Sequence, residues 1–100
     1  MTNAPATPLS VGVPRETKTA EHRVAMTPDG VRELERHGVE VFIEAGAGLG
    51  SSITDGEFVA AGATIVPTAE DAWSKQMVVK VKEPQGAELD LLRPDLTLFT

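Results

Sequence analysis

The sequence predicts an α/β fold, an open, doubly wound and mostly parallel sheet, on two observations. Short apolar runs rich in β-branched residues alternate along the chain with segments whose apolar residues recur at helical spacing. The helical segments open on threonine caps, and two of them stop at glycines. Strands alternating with helices imply parallel β-α-β units with helices on both faces of one sheet.

Leu9 to Val13, "LSVGV", is short, β-branched and ended by Pro14, which predicts the first strand. Thr27 then serves as N-cap with Pro28 at the first helical position, where a missing N–H costs nothing. Val31 and Leu34 give that helix its apolar side, and Gly38 supplies a left-handed stop. Val39 to Ile43, "VEVFI", is the second strand. Thr54-x-x-Glu57 is a capping box that opens a helix with Phe58 and Ala61 on its apolar side, ending at Gly62. Thr64 to Val66 forms a very short third strand, and Thr68 caps a helix carrying Ala69, Ala72 and Trp73 on one face. Met77 to Val81, "MVVKV", is the fourth strand. A short helix around Ala87 to Leu92 is stopped by Pro94, and Leu96 to Phe99 starts a fifth strand. No helix follows to cover that strand, so the sequence reads as a domain cut short, with residues 1–8 a disordered tail and residues 9–100 one incomplete domain.

Composition narrows the partners. The chain has 100 residues, 41% of them hydrophobic, enough for one small core. Its net charge of −6 is shared by both halves, and no basic stripe exists to track a phosphate backbone, so nucleic acid is not an expected partner. The apolar runs fall far short of a bilayer span, and the start "MTNAPATPLS" has neither the basic nor the apolar region of a secretory signal. A cytoplasmic location is expected. With no cysteine there is no disulfide framework and no thiolate nucleophile, and no metal-ligand spacing occurs.

Glu44 to Ser52, "EAGAGLGSS", invites a phosphate-binding reading. Gly46, Gly48 and Gly50 give G-x-G-x-G, but the sixth position is Ser51, no helix opens at once, and no acidic residue ends a strand about 20 residues on to hold a ribose. The segment is better read as a glycine-rich strand-to-helix loop.

Open parallel sheets bind ligands beyond the carboxyl ends of their strands, where strand order reverses. That rule selects the loops after the first and fourth strands, and in them Arg23 and Lys82. A guanidinium can grip a carboxylate bidentately and an ammonium can donate to a carbonyl oxygen, a combination suited to a small 2-oxo acid. The alternative is a pair of surface cations neutralised by Glu21 and Glu83. Lys80 shares a face with Lys82, and in a sheet buried on both sides it must be solvated or salt-bridged. His22 reads as a solvated loop residue, His37 as a cation suited to a helix C-terminus, and Trp73 as a core or interface anchor.

The segments "VGVPRETKTAEHRVAMTPDGVREL", "VEVFIEAGAGLGSSITDGEFVAAGA" and "VVKVKEP…LLRPDLTLFT" resemble the N-terminal part of the alanine dehydrogenases, in the family shared with the NAD(P) transhydrogenase alpha subunit. The resemblance runs from Leu9 to Thr100. It implies a Rossmann-like or flavodoxin-like substrate domain, with NAD bound by a separate domain beyond this chain and the glycine-rich loop belonging to the substrate domain. It implies that Arg23 and Lys82 bind the carboxylate and carbonyl of pyruvate in the reversible NAD-dependent deamination of L-alanine to pyruvate and ammonium. The family's acid/base histidine and its aspartate partner match positions beyond Thr100, so the chain alone is expected to be inactive and to contain no catalytic residue of its own. Full-length members assemble into homo-oligomers, commonly hexamers. Two alternatives stand beside this: a transhydrogenase alpha subunit, which usually lacks "KVKEP" and "LFT", and a non-catalytic module that captures an oxo acid.

Overall fold

The computed structural model describes residues 8–100. All but the last residue of the expected N-terminal tail therefore lies outside the described residues. Five strands form one sheet in the order β3-β2-β1-β4-β5: β1 (Ser10–Val13), β2 (Glu40–Glu44), β3 (Thr64–Val66), β4 (Met77–Val79) and β5 (Thr97–Phe99). Every pair is parallel. The chain winds outward from β1 through β2 to β3, then crosses back to place β4 on the other side of β1. Strand order thus reverses between β1 and β4, and the carboxyl ends of those two strands frame the crevice where such sheets bind ligands.

Helix α1 (Pro28–Arg36) begins where predicted, with the Thr27 hydroxyl accepting the Gly30 N–H. Helix α2 (Asp55–Ala61) has the expected capping box, its Thr54 and Glu57 each satisfying the other's backbone donor. Helix α3 (Ala69–Trp73) opens on Thr68, whose hydroxyl accepts from Asp71. These caps are local chemistry, which explains why sequence spacing located them. The short helix expected near Ala87 to Leu92 is present as a 3₁₀ segment (Gly86–Leu91). Its inward residue is the acid Glu88, while Leu89 and Leu92 stay exposed, so burial of an apolar face does not drive α-helix formation there.

Alternation along β1 divides the two layers. Val11 and Val13 join Val31, Val41, Ile43, Phe58 and Ala61 in a core beneath α1 and α2. Gly12 points to the opposite face, where α3 lies so close that a Cβ would come 1.8 Å from the Ala72 carbonyl oxygen. Trp73 is buried beside that contact, in keeping with a core anchor. The side chains of Val13, Ile43, Val31 and Phe58 are fully buried, each worth about 1.5–3 kcal/mol relative to exposure.

Strand β3 has its predicted span, Thr64–Val66, and the other strands are shorter than, or shifted from, theirs. The largest difference is at β4, which ends at Val79 rather than Val81 because the Val81 and Lys82 N–H groups leave the ladder for a side-chain acceptor. Lys80 and Lys82 therefore lie on a loop, and the strand alternation that placed them on one face does not apply.

Candidate functional site

The loop between β1 and α1 is built by short-range turns. The Glu21 N–H donates to the Lys18 carbonyl, with Ala20 in the left-handed region at φ 65°. The loop is anchored to β2 through the Arg15 N–H, which donates to Glu44 Oε1 at 2.9 Å. It bends over the glycine-rich loop, and together they enclose a cleft of about 260 Å³ lined by residues that include Arg15, Glu16, Glu21, His22 and Arg23 on one side and Gly46 and Leu49 on the other.

Glycine is required at this junction. A Cβ on Gly50 would sit 2.6 Å from the His22 carbonyl oxygen, and one on Gly48 would meet the Ile53 carbonyl and the Phe58 ring at 2.7 Å. Ser51 Oγ donates to the same His22 carbonyl at 3.1 Å. Gly46, at φ +79°, gives its N–H to Asp55 Oδ1. The loop enters a 3₁₀ turn (Leu49–Ser51) before α2. Its close approaches are to this chain's own backbone and to the Phe58 ring, and it links β2 to α2 as the strand-to-helix loop read from the sequence.

Arg23 lines the cleft, which Lys82 does not, and its fork is already engaged: Nε donates to Glu21 Oε2 at 3.0 Å and Nη2 to Glu21 Oε1 at 2.9 Å. The Arg23 side chain is 67% exposed while that of Glu21 is 6% exposed. The side-chain hydrogen bond from Arg23, reinforced by the Arg23 N–H, lowers the Glu21 carboxyl from 4.5 to about 2, and the positive charge of Lys82 acts in the same direction. Glu21 in turn raises the Arg23 guanidinium above its ordinary value.

Lys82 is half-buried on the loop after β4, and among the described residues its ammonium has no ion-pair partner. The surface-pair alternative holds for Arg23, which pairs with Glu21, and not for Lys82. Glu83 is taken by Lys18 at 2.5 Å, which lowers its carboxyl to about 2.

Lys80 is not solvated. Its ammonium is fully buried and contacts Glu16 Oε1 at 2.8 Å, the Lys82 carbonyl oxygen at 2.8 Å and Glu88 Oε1 at 3.6 Å. Sequence reasoning did not single out Glu16 or Glu88. The signal was the requirement that a buried lysine be paired, which calls for an acid on the neighbouring β1 loop. His22 is exposed at the cleft, and His37 is exposed at the end of α1, where it contacts Glu33 at 3.3 Å. Among the described residues no helix is long and apolar enough to cross a membrane, and no group of His, Asp or Glu could hold a metal ion.

Residues 12–100 match the family model described as "Alanine dehydrogenase/PNT, N-terminal domain". The chain belongs to this family. It is 52% identical over 92 residues to an alanine dehydrogenase of Bilophila wadsworthia, a match covering 92% of this chain and 24% of that protein. It is 55% identical over 93 residues to the alanine dehydrogenase of Mycobacterium tuberculosis, covering 92% and 25%. A solved L-alanine dehydrogenase superposes with a TM-score of 0.88 at 51% identity, over 90% of this chain and 25% of that one. A transhydrogenase from Sinorhizobium meliloti superposes at 0.82 and 36% identity, over 89% and 26%. The family domain therefore spans about a quarter of the length of these relatives, and it is more similar to the alanine dehydrogenases than to that transhydrogenase.

Proposed function

We propose that this family domain is the substrate-binding part of an NAD-dependent alanine dehydrogenase, and that Arg23 and Lys82 hold pyruvate or L-alanine at the crevice between β1 and β4. The observation that supports this reading is the Arg23 guanidinium, which lines the cleft and is gripped there by the Glu21 carboxylate, while Lys82 lies half-buried on the neighbouring loop after β4 with no ion-pair partner among the described residues. A guanidinium with spare donors on one loop and an ammonium without an ion-pair partner on the next supply the two kinds of donor that a 2-oxo acid requires.

Arg23 has further N–H donors beyond the two given to Glu21, and those suit the substrate carboxylate. The Lys82 ammonium, without an ion-pair partner, donates to the carbonyl or imine oxygen or nitrogen and stabilises the charge that develops there. The nicotinamide cofactor supplies hydride from a separate NAD-binding domain, and the acid/base histidine and its aspartate belong to the same longer polypeptide. The 100-residue chain alone is therefore inactive in this reading, and the full-length enzyme is a cytoplasmic homo-oligomer, a hexamer by family likeness.

The test is a chimera. Residues 9–100 of this chain replace the corresponding quarter of the Mycobacterium tuberculosis relative, and pyruvate- and ammonium-dependent NADH oxidation is followed. Activity that falls at least about a hundredfold in Arg23→Ala and in Lys82→Ala supports the proposal. A folded chimera that is inactive, or one indifferent to both substitutions, overturns it.

A further inference from the structure

We infer that Glu16 and Lys80 are positioning residues for Lys82: their buried ion pair clamps the Lys82 backbone and ties the loop that bears Arg23 to the loop that bears Lys82. The inference rests on the reading of those two cations as the ligand-binding pair.

The contacts are directional. Glu16 Oε2 accepts the Val81 N–H at 2.8 Å and Oε1 accepts the Lys82 N–H at 3.2 Å. The Lys80 ammonium donates to Oε1 and to the Lys82 carbonyl oxygen, both at 2.8 Å. One ion pair therefore holds Lys82 from its N–H and from its C=O. The side chains of Lys80 and Glu16 are 0% and 2% exposed, and a buried pair of that kind is no better for stability than apolar residues filling the same volume. What apolar residues cannot supply is two acceptors and one donor aimed at a backbone that has left the sheet. With β4 finished at Val79, the Val81 and Lys82 N–H groups are satisfied by Glu16 and not by a neighbouring strand.

The clamp also joins two loops. Glu16 follows β1 on the same segment as Arg23, and Lys80 to Lys82 follow β4. The topology places those strands side by side at the reversal point, but strand pairing ends below the loops. Above that level the exposed Lys18–Glu83 pair also joins the two loops, but Glu16 supplies the buried connection that reaches the Lys82 backbone itself, so the placement of Lys82 relative to the Arg23 loop depends on it. Glu88 completes the surround. Its Oε1 lies 3.6 Å from the Lys80 ammonium while also accepting the Gln85 N–H.

Glutamine at position 16 keeps the size but leaves one acceptor, and its amide donors then face the N–H and ammonium donors that the second carboxylate oxygen now meets. The experiment is a pyruvate titration of the 100-residue chain by NMR, at a temperature where each variant keeps a dispersed spectrum. Wild type, Glu16→Gln and Val31→Ala are compared, the last being a core variant that lowers stability without altering the clamp. Pyruvate affinity weakened on the order of tenfold in Glu16→Gln, and unchanged in Val31→Ala, is the expected result. Affinity in Glu16→Gln no weaker than in Val31→Ala overturns the inference and leaves the Arg23 and Lys82 proposal standing. Absence of saturable binding by wild type overturns the inference together with the pyruvate site. Should Glu16→Gln lose its dispersed spectrum, Lys80→Met decides on the same criterion.

Discussion

Arg23 and Glu21, two positions apart on the loop after β1, face each other as a bidentate pair, with Nε to Oε2 at 3.0 Å and Nη2 to Oε1 at 2.9 Å. Glu21 is the less exposed partner, and its carboxylate holds the guanidinium at the cleft rather than free in solvent.

That pairing sets a pH dependence. Hydrogen bonding from Arg23 holds the folded Glu21 carboxyl at about 2 against an ordinary 4.5. A depressed folded value stabilises the fold fully above 4.5, and the contribution fades as pH falls from 4.5 through about 2. Carbon-13 NMR of the Glu21 carboxyl is expected to show a midpoint near the lower value, moving up in Arg23→Ala. A midpoint near 4.5 in the wild type would contradict the pairing.

Gly50→Ala forces a methyl to within 2.6 Å of the His22 carbonyl oxygen, a backbone atom that yields only if the whole loop shifts. The expected cost is about 1–3 kcal/mol of stability. Because Arg23 follows His22 directly, pyruvate affinity is expected to weaken as well. Thermal unfolding and titration together check this. A variant as stable and as tight-binding as wild type would show that the two loops are not in contact.

Gly12→Ala brings the sharper clash, 1.8 Å from the Ala72 carbonyl oxygen, across the face where α3 packs on the sheet. Neither partner is a flexible side chain, so the loss is expected at the upper end of overpacking costs, about 3 kcal/mol. Urea denaturation measures it, and a loss below about 1 kcal/mol would mean that α3 does not lie against β1.

Thr54→Ala removes the hydroxyl that accepts the Glu57 N–H at 3.1 Å. Destabilisation of about 1 kcal/mol is expected, with Thr54→Ser close to wild type because serine restores the acceptor. Equal losses in both variants would point to the threonine methyl instead of the cap.

Much of this fold could be read from short-range signals. Thr27, Thr54 and Thr68 cap their helices with bonds spanning three residues, and such bonds depend on nothing elsewhere in the chain. The alternation of strands and helices implied the parallel sheet, and the rule for ligand crevices directed attention to the loops bearing Arg23 and Lys82. The phosphate reading of Gly46, Gly48 and Gly50 could also be set aside from spacing. The reason those glycines are needed could not be read, because it lies in the His22 backbone and the Phe58 ring.

The sequence by itself determined where the three threonine-capped helices start, most of their core-facing residues, and which two loops carry the candidate cations, since each follows from bonds and periodicities within a few residues. Tertiary structure decided that β4 stops at Val79 and that Glu16 holds both the Lys80 ammonium and the Lys82 backbone. Glu16 and Lys80 are 64 positions apart. Which acid a buried lysine finds across that separation depends on which strands lie side by side, and burial then makes the pairing obligatory because an unpaired charge there has no water to turn to.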